Sequence, residues 1–117
     1  MLPVMPAKRK PRNELLAGTL DLLILQTLTL GRLHGYAIAR HIERTSEDLL
    51  RVEQGSLYPA LERLQRAGWV TSTWTRSPTG RRARYYTITA SGRKRLGQKI
   101  SAFDELALAI ARVLGTA

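Results

Sequence analysis

The amino-acid sequence predicts a mainly α-helical fold with one two-stranded β-ribbon. Apolar residues recur at helical spacing in four stretches, whereas WVTSTWT and RARYYTIT alternate as strands do. The chain has 117 residues, of which 44% are hydrophobic, so it is long enough for one core and too short for two ordinary domains. We therefore expect one compact unit in the order helix, helix, helix, ribbon, helix.

The first two helices are expected on either side of Gly31. Asn13 is expected to cap the first helix and Gly31 to end it. Leucines occur on nearly every side of this helix, so it must be covered all round. We expect one side to pack on its own core and another on a second subunit. The second helix is shorter and is expected to begin near Gly35.

Local signals also delimit the third and fourth helices. Ser56 is expected to be the N-cap of the third helix, which places Pro59 in the first turn, where its missing N–H breaks no internal hydrogen bond. Gly68 is expected to end this helix. RSPTGR forms a turn between the two strands. Thr89 is expected to cap a last helix that runs from about residue 90 to residue 114.

The charge of the chain is strongly basic and unevenly distributed. Nineteen Lys and Arg residues against nine Asp and Glu residues give a net charge of +10. Four of the positive charges lie within residues 8–12, and from Arg63 to the end the only acidic residues are Asp104 and Glu105. Such a localised excess indicates a surface that meets a polyanion. Nucleic acid is the first candidate and an anionic membrane the second, while a charge that only aids solubility is the third reading.

Other classes of function find little support. The chain has no cysteine, and the spacing of His34 and His41 resembles no metal motif. It contains no recognisable pairing of a nucleophile with a base and no phosphate-cradling glycine loop, so we expect no enzyme and no cofactor. The start lacks the apolar run of a signal peptide, and residues 15–30 are interrupted by polar side chains. We expect a cytoplasmic protein with no membrane partner.

Three helices followed by a basic β-ribbon predict a winged helix-turn-helix fold, in which the third helix enters the major groove of DNA. Within this helix, Ser56 and Tyr58 are candidate phosphate contacts and Gln54 a candidate base contact. Arg63 is suited to pair with phosphate or guanine. Structural roles remain open, because Ser56 has the chemistry of a cap and Tyr58 is suited to pack against the neighbouring helix.

The ribbon turn TRSPTGRRAR is rich in arginine. Arg76, Arg81, Arg82 and Arg84 crowd this turn, with Arg84 already entering the following strand, and such mutual repulsion between positive charges requires an explanation. A hairpin that acts as a wing and reaches the minor groove or the flanking backbone of DNA would explain it, because the arginines would then lie beside negatively charged phosphates. The alternative is a solvated hairpin tip. We rank it lower because no acidic residue occurs between Ala67 and Ser101.

The last helix carries a heptad pattern of apolar residues. The pattern consists of Leu96, Ile100, Phe103, Ala107, Ile110 and Leu114, which are spaced 4, 3, 4, 3 and 4. Together with Leu15 and Leu22 of the first helix, these residues are expected to form a two-fold dimer interface. Such a dimer would read two half-sites roughly 34 to 36 Å apart. The alternative is that the helix lies on the core of its own domain.

Four segments of the chain resemble the PadR-like family of transcriptional regulators, over about residues 14–96. They are LAGTLDLLILQTL, HGYAIARHI, GSLYPALERLQRAGWV and RRARYYTITASGRKRL. The resemblance implies a winged-helix DNA-binding domain, homodimerisation through the C-terminal segment, which is short here, and usually repression. It places Tyr36 and the helix from Ser56 on the DNA side. It also gives the Tyr85 and Tyr86 pair a structural role.

We therefore expect a basic arm at 1–13, a winged helix-turn-helix domain at 14–89 and a dimerisation helix at 90–117. The predicted function is that of a homodimeric regulator, a repressor of transcription, that binds a pseudo-palindromic operator in double-stranded DNA. Two alternatives are a nonspecific, chromatin-like DNA-binding protein and a winged-helix module for protein interaction. The sequence identifies no small-molecule effector.

Overall fold

The computed structural model describes the backbone of residues 11–117 and the side chains of residues 18–117. Four helices and three strands follow one another along the chain. They are α1 (Pro11–Leu28), β1 (Leu33–His34), α2 (Gly35–Thr45), α3 (Gln54–Arg66), β2 (Val70–Arg76), β3 (Arg82–Ile88) and α4 (Ala90–Leu114). The mainly helical prediction is confirmed. No helix in the described part of the chain is long and apolar enough to cross a membrane.

The sheet has three strands rather than the predicted two. Its order is β1-β3-β2, and both pairings are antiparallel. The additional strand, β1, contains two residues, with Leu33 opposite Tyr86 and His34 opposite Tyr85. A two-residue strand is too short to show alternation in the sequence, which explains why the prediction missed it.

The core lies where α1, α2 and α3 meet the base of the sheet. Its largest fully buried side chains come from all of these elements: Ile24, Leu25, Leu28, Ile38, Leu57, Leu61, Leu64 and Val70. The start of α4 also contributes, because Leu96 is only 7% exposed and belongs to the same cluster. Leu96 is therefore a core residue of its own domain, and a contact with a second copy stays a prediction. The heptad spacing identified an apolar face whose first position packs on its own domain.

The start of α1 and the start of α3 differ from the predictions. Asn13 lies inside α1 and is not its cap. The N-cap of α3 is Glu53, and Ser56 is already within the helix, where its N–H donates to the carbonyl oxygen of Glu53 at 3.0 Å. The preceding connector is held by a hydrogen bond of 2.9 Å from the N–H of Val52 to Glu43 Oε2. This tertiary contact directs the chain into α3 earlier than the Ser56 signal indicates.

The C-terminal end of α3 and the start of α4 lie where the local sequence signals predict them. Gly68 has a φ of +83°, and the N–H groups of Gly68 and Trp69 donate to the carbonyl oxygens of Gln65 and Leu64. This pair of bonds closes α3 as a glycine C-cap motif does. Thr89 caps α4, since its hydroxyl oxygen accepts from the N–H of Gly92 at 3.0 Å. Both predictions are confirmed.

The second half of α4 projects from the domain. Every residue from Ser101 to Ile110 is exposed, and the chain measures 57 Å along its longest axis against 25 Å along its shortest. This projecting half nevertheless carries large apolar side chains: Phe103, Leu106, Leu108, Ile110, Val113 and Leu114. An apolar helix of this kind requires a further surface to cover it.

Candidate nucleic-acid interface

A groove of about 720 Å³ lies between the starts of α2 and α3 and the β2–β3 hairpin. Its lining combines aromatic and basic side chains, including His34, Tyr36, Tyr58, Trp74, Tyr86, Arg81, Arg82 and Arg84. Four predicted DNA-contacting residues, Tyr36, Tyr58, Arg81 and Arg82, therefore meet in one groove. They come from three separate parts of the chain, so only the tertiary fold brings them together.

The α2 and α3 side of the groove presents two tyrosines. Tyr36 is 62% exposed and Tyr58 is 43% exposed. The start of α2 is fixed by His34, whose Nδ1 accepts from the N–H of Ala37 at 3.1 Å. The ring of Tyr58 lies against Gly35 at the same point. Helix α2 thus begins where both tyrosines line the groove.

The other predicted residues of α3 lie outside the lining of this groove. Gln54 is exposed in the first turn, and Ser56 is half-buried. Arg63 forms a salt bridge with Asp21 of α1, in which Arg63 Nη2 lies 2.9 Å from Asp21 Oδ1. The structure therefore gives Arg63 an interhelical partner. We leave this residue out of the proposed DNA contacts.

One face of the hairpin points toward the groove. The register pairs Trp74 with Arg84 and Arg76 with Arg82, so these four side chains share a face. Arg76 Nη1 donates to the carbonyl oxygen of Gly80 at 2.7 Å, which ties the arginine to its own turn. Arg82 lies over the ring of Trp74, with 5.2 Å between its Cζ atom and the ring centroid. Arg81 is exposed beside the tip.

The base of the hairpin is fastened to α3. Arg84 Nε donates to Ser72 Oγ at 2.9 Å, and Arg84 Nη2 donates to Gln65 Oε1 at 3.4 Å. Ser72 Oγ donates to the same Gln65 oxygen at 3.1 Å. Because these bonds join β2, β3 and α3, the wing and the third helix are positioned as one unit. Arg84 thus has a structural role in addition to its charge.

Burial shifts the pKa of one residue in the groove. Burial raises the pKa of the Tyr86 hydroxyl above its ordinary value, and the positive charge of Arg84 opposes that rise. A raised pKa widens the pH range over which this hydroxyl is neutral, so it carries no negative charge beside the arginines at physiological pH. Tyr86 is also part of the core, in agreement with its predicted structural role.

Sequence reasoning missed Trp74 and His34 as members of this groove. The signal for Trp74 was present, since it occupies the same strand parity as Arg76 in an alternating stretch. His34 carried no comparable signal, because its position depends on the short β1 strand. Within the described residues, no group of three or more His, Cys, Asp or Glu side chains is arranged to hold a metal ion.

A second, smaller groove of about 270 Å³ lies between α1 and α4 and is lined in part by Leu22, Phe103 and Leu106. Leu22 is half-buried against the core. The other predicted dimer residues of α4 beyond Leu96 are all exposed, namely Ile100, Phe103, Ala107, Ile110 and Leu114. The remaining one, Leu15, lies outside the residues whose side chains are described.

Three helices and a hairpin that shares a groove with the third helix define a winged-helix protein. The family model of the PadR-like transcriptional regulators matches residues 24–98. The chain belongs to the PadR-like family of transcriptional regulators. Members of this family bind DNA and are not enzymes.

Solved structures show the same fold. A transcriptional regulator from Clostridium thermocellum is 28% identical, with a TM-score of 0.78 over 85% of this chain and 96% of that one. A PadR-like transcriptional regulator from Bacillus cereus is 25% identical, with a TM-score of 0.73 over 86% and 96%. A PadR family regulator from Eggerthella lenta is 27% identical, with a TM-score of 0.75 over 89% and 88%.

Proposed function

We propose that this chain is a sequence-specific repressor of transcription that binds a pseudo-palindromic operator as a homodimer. The observation that carries the proposal is the groove in which Tyr36 and Tyr58 face Arg81 and Arg82. Hydroxyl donors on one side and guanidinium groups on the other match the phosphate backbones that border a major groove. Helix α3, which carries Tyr58 along one side of the groove, is then directed at the base edges.

Each residue in the interface has a distinct role in this proposal. Helix α3 enters the major groove, and Gln54 in its first turn reads a base edge, since a glutamine amide both donates and accepts. Tyr36 and Tyr58 donate to phosphate oxygens, and the hydroxyl of the half-buried residue Ser56 has the same role. Arg81 and Arg82 contact the backbone beside the site and position the protein without reading its sequence.

In the proposed dimer, the projecting half of α4 forms the interface. A phenylalanine that is 51% exposed and several exposed leucine and isoleucine side chains leave an apolar surface beside the α1–α4 groove. A second copy related by a two-fold axis presents the same residues, so the two surfaces are self-complementary. Burying them would remove the unfavourable contact with water and set the spacing of two α3 helices.

A selection experiment tests this function. Random duplexes bound by the purified full chain at physiological salt are recovered and sequenced over several rounds. We expect an inverted repeat to emerge and to bind roughly 10³-fold or more tightly than unselected DNA. Recovery of duplexes with no shared sequence would instead support a nonspecific, chromatin-like protein, and no binding at all would support a protein-interaction module.

Repression is tested with the selected site. The site is placed so that it overlaps a promoter, and transcription by purified polymerase is measured as the chain is added. Loss of transcript in parallel with site occupancy supports a repressor, whereas a gain contradicts that part of the proposal. A promoter carrying a scrambled site is the control.

A further inference from the structure

We infer that Trp74 is a positioning residue of the DNA interface, which holds Arg82 in the groove between the wing and α3. The inference rests on the proposed function, because it assigns how one of the proposed DNA contacts is oriented. It concerns a side chain that was not among the sequence-predicted site residues.

The position of Trp74 is unusual for so large an apolar side chain. The residue lies in the middle of β2, yet it is 55% exposed. Its side chain lines the groove together with Tyr58 and Arg82. A tryptophan whose only role was in folding would stabilise the protein more if its side chain were buried in the core. The exposed indole face instead serves the groove.

The contact between Arg82 and Trp74 explains what that face does. The guanidinium carbon of Arg82 lies 5.2 Å from the centre of the Trp74 ring, within the range of a cation–π interaction. An arginine side chain loses considerable rotamer freedom when it binds a ligand. Stacking on the indole removes part of that freedom before DNA arrives, so less is lost on binding.

The hairpin gives this stacked pair a fixed location. Trp74 is paired across the sheet with Arg84, which hydrogen bonds to Ser72 on the same hairpin and to Gln65 on α3. Movement of the indole relative to α3 is therefore restricted by the strand that carries it. Arg82 is placed at a defined distance from the third helix, as a clamp on one phosphate strand requires.

The test measures the affinity of wild-type and variant chains for a fluorescein-labelled duplex of mixed sequence, about three helical turns long, at low salt. Trp74→Ala should raise the Kd by about two- to fivefold for each wing engaged, the range that a cation–π contact supplies. Trp74→Phe keeps a ring and should restore most of the affinity. Thr73→Ala, on the opposite face of the same strand, is the matched control and should leave the Kd unchanged.

A double mutant separates positioning from any other role of the indole. In the Arg82→Ala background, Trp74→Ala should cause no further loss, because the residue that it positions is already absent. An additive loss in the double mutant would overturn the inference, and so would a Trp74→Ala variant that binds as wild type does. Melting temperatures within a few degrees of wild type show that all variants are folded.

A spectroscopic readout locates the indole at the interface. The chain has two tryptophans, so Trp69→Phe leaves Trp74 as the only indole emitter. Acrylamide quenching of this emission should fall when the duplex is added in excess, and unchanged quenching would contradict the inference. Failure of the proposed function is distinguishable, because Arg81→Ala with Arg82→Ala would then also leave the affinity for the duplex unchanged.

Discussion

The ring of Tyr58 lies directly against the backbone of Gly35, at the point where α3 meets the start of α2. A β-carbon built on Gly35 would stand 2.6 Å from the Tyr58 hydroxyl oxygen and 2.8 Å from its Cε1 atom. The absence of a side chain at Gly35 thus sets where the phenolic hydroxyl enters the groove. The HGY segment that contains this glycine is one of the segments that resemble the family.

Gly35→Ala should weaken DNA binding while leaving the fold intact. The added methyl group displaces the outer part of the Tyr58 ring, which is 43% exposed and free to swing toward solvent. We expect the free energy of unfolding to change by less than about 1 kcal/mol and the affinity for the selected duplex to fall by roughly tenfold, as for a misplaced interface group. Urea unfolding and fluorescence anisotropy measure the two effects.

Gly97→Ala is the matched control for that experiment. Gly97 also lies in a helix, but a β-carbon there would meet no atom within 4 Å outside its own helix backbone and chain neighbours. Alanine should therefore stabilise the protein by about 0.5 to 1 kcal/mol and leave DNA affinity unchanged. Equal DNA affinity for both glycine variants would show that the position of Tyr58 does not matter for binding.

His34 provides a second test, which concerns stability. Its Nδ1 atom accepts the N–H of Ala37, so the imidazole serves as the N-cap of α2. His34→Ala removes the acceptor, whereas His34→Asn supplies another side-chain acceptor that is favoured at this position. Both variants remove the edge-on packing of the imidazole against Tyr85, so the difference between them isolates the cap.

We expect the alanine variant at His34 to be less stable than the asparagine variant by about 1 kcal/mol. Urea unfolding at one fixed protein concentration measures this difference, since association would make stability depend on concentration. Equal midpoints and slopes for the two variants would argue that the cap contributes nothing measurable. The hydrogen bond to Ala37 would then be incidental to the start of α2.

Features that depend on local chemistry were predictable from the sequence. Thr89 and Gly68 act within one helical turn, so their cap roles and the bounds of α4 follow from neighbouring residues alone. Ser56 carried a similar signal, yet the bond between Glu43 and Val52 directs the chain into the helix earlier. A tertiary contact overrode a local preference there.

Features that depend on which surfaces meet were not predictable. The heptad pattern marks one apolar face of α4, but periodicity does not show what covers each position, and Leu96 packs on its own domain. Likewise, nothing in the sequence pairs Arg63 with Asp21, because the two residues are 42 positions apart. For Trp74, the strand parity that it shares with Arg76 was visible in the sequence, but its contact with Arg82 across the hairpin was not.

The ion pair between Arg63 and Asp21 leads to a third prediction. A double-mutant cycle with Arg63→Gln and Asp21→Asn should give a coupling energy of about 0.2 to 1 kcal/mol, since Arg63 is largely exposed and water screens the pair. Urea unfolding of the four proteins measures it. A coupling energy of zero would mean that the ion pair does not help to join α1 to α3.

DNA binding by the same Arg63 variant separates a structural role from a DNA-binding one. If Arg63 is committed to Asp21, then Arg63→Gln should leave the dependence of the Kd on salt concentration close to that of wild type. Arg82→Gln, the matched control, should reduce the magnitude of the slope by about 1 for each phosphate that the protein no longer neutralises. A slope that falls equally in both variants would return Arg63 to the set of DNA contacts.

The last prediction concerns the projecting half of α4. Ile100 and Ile110 are exposed in the single chain, so replacing both with Asp should not disturb the domain core. In the proposed dimer these positions are covered, and two carboxylates buried there without partners would oppose association. We expect a folded monomer in sedimentation velocity at concentrations at which wild type is a dimer.

Two controls distinguish loss of the dimer from loss of the fold. Ser101→Asp adds a carboxylate to an exposed position outside the heptad pattern and should leave the dimer intact. Leu96→Ala removes a buried core side chain, so it should lower the free energy of unfolding by about 2 to 5 kcal/mol while the folded fraction still associates. A double Asp variant that still sediments as a dimer would place the interface elsewhere. The half-site spacing could then not be derived from α4, because the two α3 helices would be related by a different interface.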